Sequence, residues 1–191
     1  MGMYVFKMFN PGLVCRGYKF REGVNECDHA TCVREGFHAA ENPLDCLSYY
    51  PDFDSSECWL CYADGDIHED GTDSKISCTR LEILRRLGKL SFIYEAARYI
   101  IEHPQRPLAS CVFKNHGRSN SNGFAVVVGY DPKARAEEDG DILCLIKKGK
   151  EGEPWSLSIR CGCYVKKGTW YNFEGEEVVV HEWQEDNEGA D

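Results

Sequence analysis

A single segment of this chain has clear helical periodicity, and this restricts the fold class more than any other feature of the sequence. Apolar side chains recur at helical spacing over residues 92–102, with Ser91 as the cap and the pair His103-Pro104 as the end. The other apolar segments are short, and Gly, Pro and Asn turns separate them. The sequence therefore predicts an α+β domain of mostly antiparallel β-structure, with one main helix over about 91–103.

Turn residues and composition predict how the chain is divided. Asn42 and Pro43 form a helix start, because Asn caps and Pro at the first position needs no N–H, so a short helix is expected over 43–50. After Pro107 the sequence becomes polar and then rich in strand patterns. We expect three parts along the chain, which are an N-terminal α+β part over 1–107, a β-rich part packed on it over 108–183, and an acidic tail over 184–191.

The charge of the chain argues against nucleic acid as a partner. There are 32 acidic and 22 basic residues, which give a net charge of −10, and such a surface repels phosphates and favours basic partners. The acidic segment 64–73 is expected to be a solvated loop. No apolar run reaches membrane length, and the first residues lack a secretion signal. We therefore expect an acidic cytoplasmic protein with no nucleic-acid or membrane partner.

The 11 cysteines raise the question of a metal site. Thiols stay reduced in the cytoplasm, and most of these cysteines alternate with apolar residues, which is typical of buried free thiols. The alternative is a structural zinc ion, because paired cysteines and a nearby histidine can share one tetrahedral ion. The residues that would hold it are Cys27, His29, Cys32, Cys58 and Cys61. We favour buried thiols, and expect no cofactor apart from this zinc alternative.

An ordered series of motifs runs through the first part of the chain. The motifs are Phe9-Asn10, Cys15-Arg16-Gly17-Tyr18, Cys32, Gly36-Phe37-His38, Glu41-Asn42-Pro43-Leu44-Asp45 and Tyr49-Tyr50-Pro51. In this order they resemble an uncharacterised family of phage and prophage proteins. That family carries no established activity, so the resemblance implies a context, a phage or prophage gene in a bacterial cytoplasm, and no reaction.

The resemblance also bears on the C-terminal half of the chain. Many relatives have Ala-, Thr- and Gly-rich repeats there, similar to the β-roll of trimeric adhesin heads. In this chain only residues 123–130 and 133–136 correspond to such a repeat, and fewer than about three repeats rarely fold alone. The C-terminal strands are therefore expected to form either a reduced β-roll or a sheet.

Two functions from different classes are compatible with the sequence. The leading hypothesis is a non-enzymatic protein that acts by binding a host protein or a component of antiviral defence, with inhibition of that target as one form of this action. It is favoured because the sequence contains no complete catalytic set, no G-x-S-x-G motif and no P-loop. Trp59 is a candidate interface anchor, because tryptophan is enriched in binding hot spots.

The alternative is a module that binds NAD or another nucleotide, or one that resembles ADP-ribosyltransferases. Its cleft would lie around Arg16, His38 and Tyr49, because a strand His or Arg and an aromatic residue hold NAD in those enzymes. No signal selects the glutamate that such an enzyme requires. The candidate residues for binding a ligand or partner are Arg16, His38, Tyr49, Tyr50 and Trp59.

Overall fold

The chain forms two compact units, Met1–Phe113 and Lys114–Asp191. The computed structural model describes residues 2–31, 35–69, 71 and 73–180. The predicted acidic tail, 184–191, lies outside these residues. The described residues contain thirteen strands, one 3₁₀ helix and one α-helix, so the predicted α+β class with a β-rich body is confirmed. None of the helices in the described ranges has the length and hydropathy needed to cross a lipid bilayer.

Unit 1 is built on antiparallel strands. In chain order they are β1 (Met3–Phe9), β2 (Val14–Cys15), β3 (Tyr18–Lys19), β4 (Gly23–Glu26), β5 (Phe37–Ala40), β6 (Glu57–Glu69) and β7 (Lys75–Leu87). Five of them form a sheet in the order β4-β7-β5-β1-β6, and β2 and β3 form a separate hairpin. Because β6 also pairs with β7, the strands β1, β6, β7 and β5 follow one another in a closed ring.

One face of the ring's strands forms the main core of unit 1, because alternate residues of a strand point to the same side. On β1 this face carries Val5 and Phe9, which are both fully buried. Phe20 packs edge-on against Phe9 and Phe37, with 5.1 Å between ring centroids in each pair. An aromatic layer therefore lies beside the β2–β3 hairpin.

Unit 1 also contains two helices. The predicted short helix is present as a 3₁₀ helix, Pro43–Ser48, and the Asn42 side chain accepts a hydrogen bond from the Leu44 N–H, so the predicted cap is confirmed. The main helix, α1 (Lys89–Glu102), ends where the sequence predicts. Its predicted cap is wrong: Gly88 occupies that position, because the helix begins before Ser91.

The prediction of an acidic loop over 64–73 is also wrong for most of its length. β6 continues to Glu69 and pairs with β7 as far as Ile76, so these acidic residues belong to a long hairpin. Opposite charges lie across the hairpin, with the Arg80 guanidinium 3.7 Å from the Asp64 carboxylate. The composition of these residues is typical of a loop, but pairing with β7 makes them a strand, because strand formation depends strongly on tertiary context.

The strands after α1 form a second sheet. They are β8 (Val112–Arg118), β9 (Phe124–Arg135), β10 (Gly140–Lys147), β11 (Ser156–Gly162), β12 (Trp170–Tyr171) and β13 (Glu177–Val178). The order is β11-β10-β9-β12-β13, with β8 also paired to β9, and the β9–β10 pair is parallel. The two arrangements expected from the sequence were a reduced β-roll and a sheet. The hydrogen-bond pairing of these strands is that of a single six-stranded sheet. Its core is centred on Val127, Leu143 and Tyr171.

Candidate functional site

A cavity of about 880 Å³ lies in unit 1, within the usual size range of small-molecule sites. β1 and β5 contribute its floor, the β2–β3 hairpin forms one side, and the end of the 3₁₀ helix with the loop after it forms another. Four of the five residues that the sequence singled out line it, namely Arg16, His38, Tyr49 and Tyr50. Segments far apart in the chain therefore meet around one space.

The fifth candidate, Trp59, lies elsewhere. It belongs to the core of unit 1 with 8 % of its surface exposed, and it does not line the cavity. Its position on β6 alternates with Cys58 and Leu60, so the strand period turns its ring toward the apolar face. The indole is therefore part of the packing of this unit.

The five residues of the zinc alternative do not form one cluster. Cys58 and Cys61 are both buried, but they are three apart on β6, so their side chains point to opposite faces. Cys27 is half-buried and His29 is exposed, while Cys32 lies outside the described residues. Within the described ranges, no group of three or more His, Cys, Asp or Glu side chains is arranged to hold a metal ion. The zinc alternative stays a prediction that elemental analysis would test.

Lys7 is the least expected residue of the cavity. It lines the cavity from the middle of β1 and has only 6 % of its surface exposed. Its Nζ donates a hydrogen bond to the His38 carbonyl at 2.6 Å, and it lies 5.3 Å and 5.2 Å from the ring centroids of Phe9 and Phe20. It makes no ion pair with any carboxylate of the described residues. A buried cation therefore meets one carbonyl and two aromatic faces, and its second polar neighbour is the Cys15 thiol at 3.8 Å.

The tip of the β2–β3 hairpin places Arg16 at the cavity. Arg16 and Gly17 form the two-residue turn, and both have positive φ, 48° and 81°, as a type I′ turn requires. Glycine adopts this conformation easily, whereas a side chain such as arginine is strained there by about 1–2 kcal/mol. Residues held in such strain often serve a function. The guanidinium is exposed and lies among the lining groups.

We expect Arg16→Asn to raise the free energy of unfolding of unit 1 by about 1 kcal/mol, because asparagine tolerates the left-handed region far better. Urea denaturation would measure it. Gly17→Ala is the matched comparison in the same turn, and it should lower the free energy of unfolding, because alanine is strained at a φ of 81°. If Arg16→Asn were destabilising, the interpretation of Arg16 as a strained residue would fail.

A second basic side chain, Lys75, reaches the cavity beside Tyr49. The Lys75 ammonium donates to the Tyr49 hydroxyl at 3.0 Å and lies 5.2 Å from the centroid of its ring. The same hydroxyl lies 3.4 Å from a carboxylate oxygen of Asp73, to which it donates. These contacts fix an exposed ring at the edge of the cavity.

The neighbouring tyrosine makes a different contact. The Tyr50 hydroxyl donates a hydrogen bond to the Cys15 sulfur at 3.2 Å. Burial, and then the neighbouring Cys15 sulfur, raise the pKa of Tyr50. The phenol therefore keeps its proton at neutral pH and remains a donor to the thiol.

One family comparison covers this part of the chain. Residues 3–95 match the model of a domain of unknown function, DUF7666. Every residue that lines the cavity lies within the match, so the cavity is a feature of the matched segment. No curated protein and no solved structure matches the chain. The match is therefore to an uncharacterised family, and the phage origin that the motifs suggest stays a prediction.

Sequence reasoning missed Lys7, although a signal was present. The segment Met3–Phe9, MYVFKMF, is apolar except for this lysine. In a strand, position 7 faces the same side as Val5 and Phe9, which are the core-facing residues. A lone lysine in phase with core residues would have indicated a buried cation.

Proposed function

We propose that the cavity of unit 1 binds a small anionic ligand of nucleotide size. The negative group of the ligand would lie against the ammonium of Lys7, and its flat ring against the aromatic side of the cavity. The observation that carries the proposal is the burial of Lys7 without a carboxylate partner among the described residues. Removing an ammonium from water costs several kcal/mol unless it is paired, and an anionic ligand would supply the missing counter-charge.

The local charge around the cavity supports an anionic ligand. The lining includes the lysine and arginine side chains of Lys7, Arg16 and Lys75 and one acidic residue, Asp52. The chain as a whole has a net charge of −10, so this site is opposite in sign to the rest of the molecule. A local positive potential in a cleft attracts anions and raises their association rate.

The aromatic side of the cavity supports a ligand with a flat ring. Tyr18 packs edge-on against Phe20 at 4.6 Å between centroids, and Phe20 packs in the same way against Phe37. All three line the cavity. Stacking of a nucleobase on an aromatic side chain is worth about 1–3 kcal/mol and tolerates any base, so this wall favours nucleotides as a class over one particular base.

The proposal is for binding and does not include ADP-ribosyl transfer. It develops the sequence alternative of a nucleotide-binding module around Arg16, His38 and Tyr49. The host-protein partner, the phage or prophage context and the cytoplasmic location remain proposals that rest on the resemblance. A pull-down from host lysate tests the first of these, and the absence of a stoichiometric partner would count against it.

Thermal denaturation with a panel of ligands tests the proposal. AMP, ADP-ribose, NAD and cyclic nucleotides carry phosphate, whereas adenosine has the same base and sugar without the charge. A ligand at a hundred times its dissociation constant adds about 2.7 kcal/mol of stability. We expect at least one phosphate-bearing compound to raise the melting temperature, with adenosine having little effect. If no compound in the panel does so at low salt, the proposal is wrong.

A further inference from the structure

Three polar groups meet at one point of the cavity wall. The Cys15 sulfur lies 3.2 Å from the Tyr50 hydroxyl and 3.8 Å from the Lys7 ammonium, and all three residues line the cavity. A hydroxyl donor and a cation on either side of a sulfur are the groups that stabilise a thiolate. The thiol is half-buried, so its sulfur faces the cavity without being sealed in the core.

The other thiols of the core have different surroundings. Burial raises the pKa of Cys46, Cys78 and Cys144 to about 12, and it also raises that of Cys58 and Cys61. Such thiols stay protonated at neutral pH and react slowly, since the thiolate is the nucleophile. Of this group, none has the pair of neighbouring donors that Cys15 has.

We propose that Cys15 is a nucleophile that forms a covalent bond with small carbon electrophiles carrying a carboxylate or phosphate. This inference rests on the proposed function, because the same cations that would bind an anionic ligand would place its electrophilic carbon beside the sulfur. Tyr50 and Lys7 lie on either side of the sulfur, and Arg16, the next residue in the hairpin, offers a second contact to the anionic group.

The covalent step is an ordinary displacement at carbon. The thiol first loses its proton to solvent, and the sulfur lone pair then attacks the carbon that bears the leaving group. The new S–C bond forms as the bond to the leaving group breaks, and that group departs with its electron pair. The product is a thioether on Cys15, and no oxidant or further reactant is needed.

Two alkylating reagents test the reactivity of the Cys15 thiol and the selectivity of the cavity for anions separately. Iodoacetate is a small carboxylate with iodide as the leaving group, and iodoacetamide has the same reactive carbon without the charge. Peptide mapping by mass spectrometry gives the alkylation rate of Cys15 with each reagent. The control is the same cysteine in the protein unfolded in urea, where neither the cavity nor its neighbouring groups remain.

We expect Cys15 to react with iodoacetate about tenfold faster in the folded protein than in the unfolded protein. With iodoacetamide the increase in the alkylation rate on folding should be smaller. Tyr50→Phe should slow both reagents several-fold, because it removes the donor to the sulfur. Lys7→Met should remove the preference for iodoacetate. Circular dichroism would verify that each variant is folded, and Cys15→Ser would verify which peptide carries the adduct.

The possible results distinguish this inference from the proposed function. If neither reagent reacts faster with Cys15 in the folded protein, Cys15 is not an activated nucleophile. The anion site is then tested by the ligand panel alone. If the rates with both reagents increase equally, the thiol is reactive but its selectivity for anions, and with it the preference of the cavity for anionic ligands, is overturned. A gain that persists in Tyr50→Phe would contradict the role given to the hydroxyl.

Discussion

Lys7→Met is expected to weaken the binding of phosphate-bearing ligands by about 10- to 100-fold, the value of one buried hydrogen bond to a charged group. The same substitution is expected to raise the free energy of unfolding of unit 1 by about 1–2 kcal/mol. Methionine keeps the length of the side chain and fits the space between Phe9 and Phe20, and it removes the cost of holding an unpaired ammonium out of water. Loss of the hydrogen bond to the His38 carbonyl offsets part of that gain.

The opposite signs of the two effects make this variant informative. Isothermal titration would give the affinity, and urea denaturation would give the free energy of unfolding. Lys19→Met is the matched control, because it removes the same charge from the nearby β3 at an exposed position that does not line the cavity. A Lys7→Met protein that is less stable and still binds would show that the lysine serves the fold and not a ligand.

Ile100→Asp is expected to lower the free energy of unfolding of unit 1 by at least about 4 kcal/mol, which is comparable with the stability of a whole domain. Ile100 has 3 % of its surface exposed on the inner face of α1. The substitution removes buried apolar volume and places a carboxylate where it has no partner. This residue lies beyond residue 95, where the family match ends, so the result also tests whether the folded unit extends past the match.

Tyr94→Asp on the same helix is the control for this substitution. Tyr94 has 52 % of its surface exposed, so the same new charge should change the free energy of unfolding by less than about 1 kcal/mol. Urea titrations followed by far-ultraviolet circular dichroism would measure both variants. Equal effects at the two positions would mean that α1 is not packed through the face that carries Ile100.

Local signals in the sequence predicted those elements whose structure depends on near neighbours in the chain. The cap at Asn42 and the end of α1 at Glu102 are of this kind, because capping and proline chemistry act within a few residues. The length of β6 is different. Residues 64–69 look like a loop and become a strand only because β7 offers a partner for their backbone groups.

The candidate site was predicted in part. Arg16, His38, Tyr49 and Tyr50 were selected from their motifs, and they line one cavity. Lys7 was missed because a lysine is normally exposed, and its burial depends on the closed ring of strands around it. Trp59 was selected for its residue type alone, whereas the alternation of side chains along β6 directs its ring into the core of unit 1.

The sequence by itself determined the α+β class, the position of the main helix, and the cap of the short helix at Asn42, because these follow from short-range periodicity and backbone preference. Only the tertiary structure decided that Cys15, Lys7 and Tyr50 come within 4 Å of a common point. Residues 7, 15 and 50 are brought together by strand pairing and by the docking of the 3₁₀ helix on β1. Such contacts require the chain to close over distances of up to tens of residues, and no periodic pattern in the sequence predicts them.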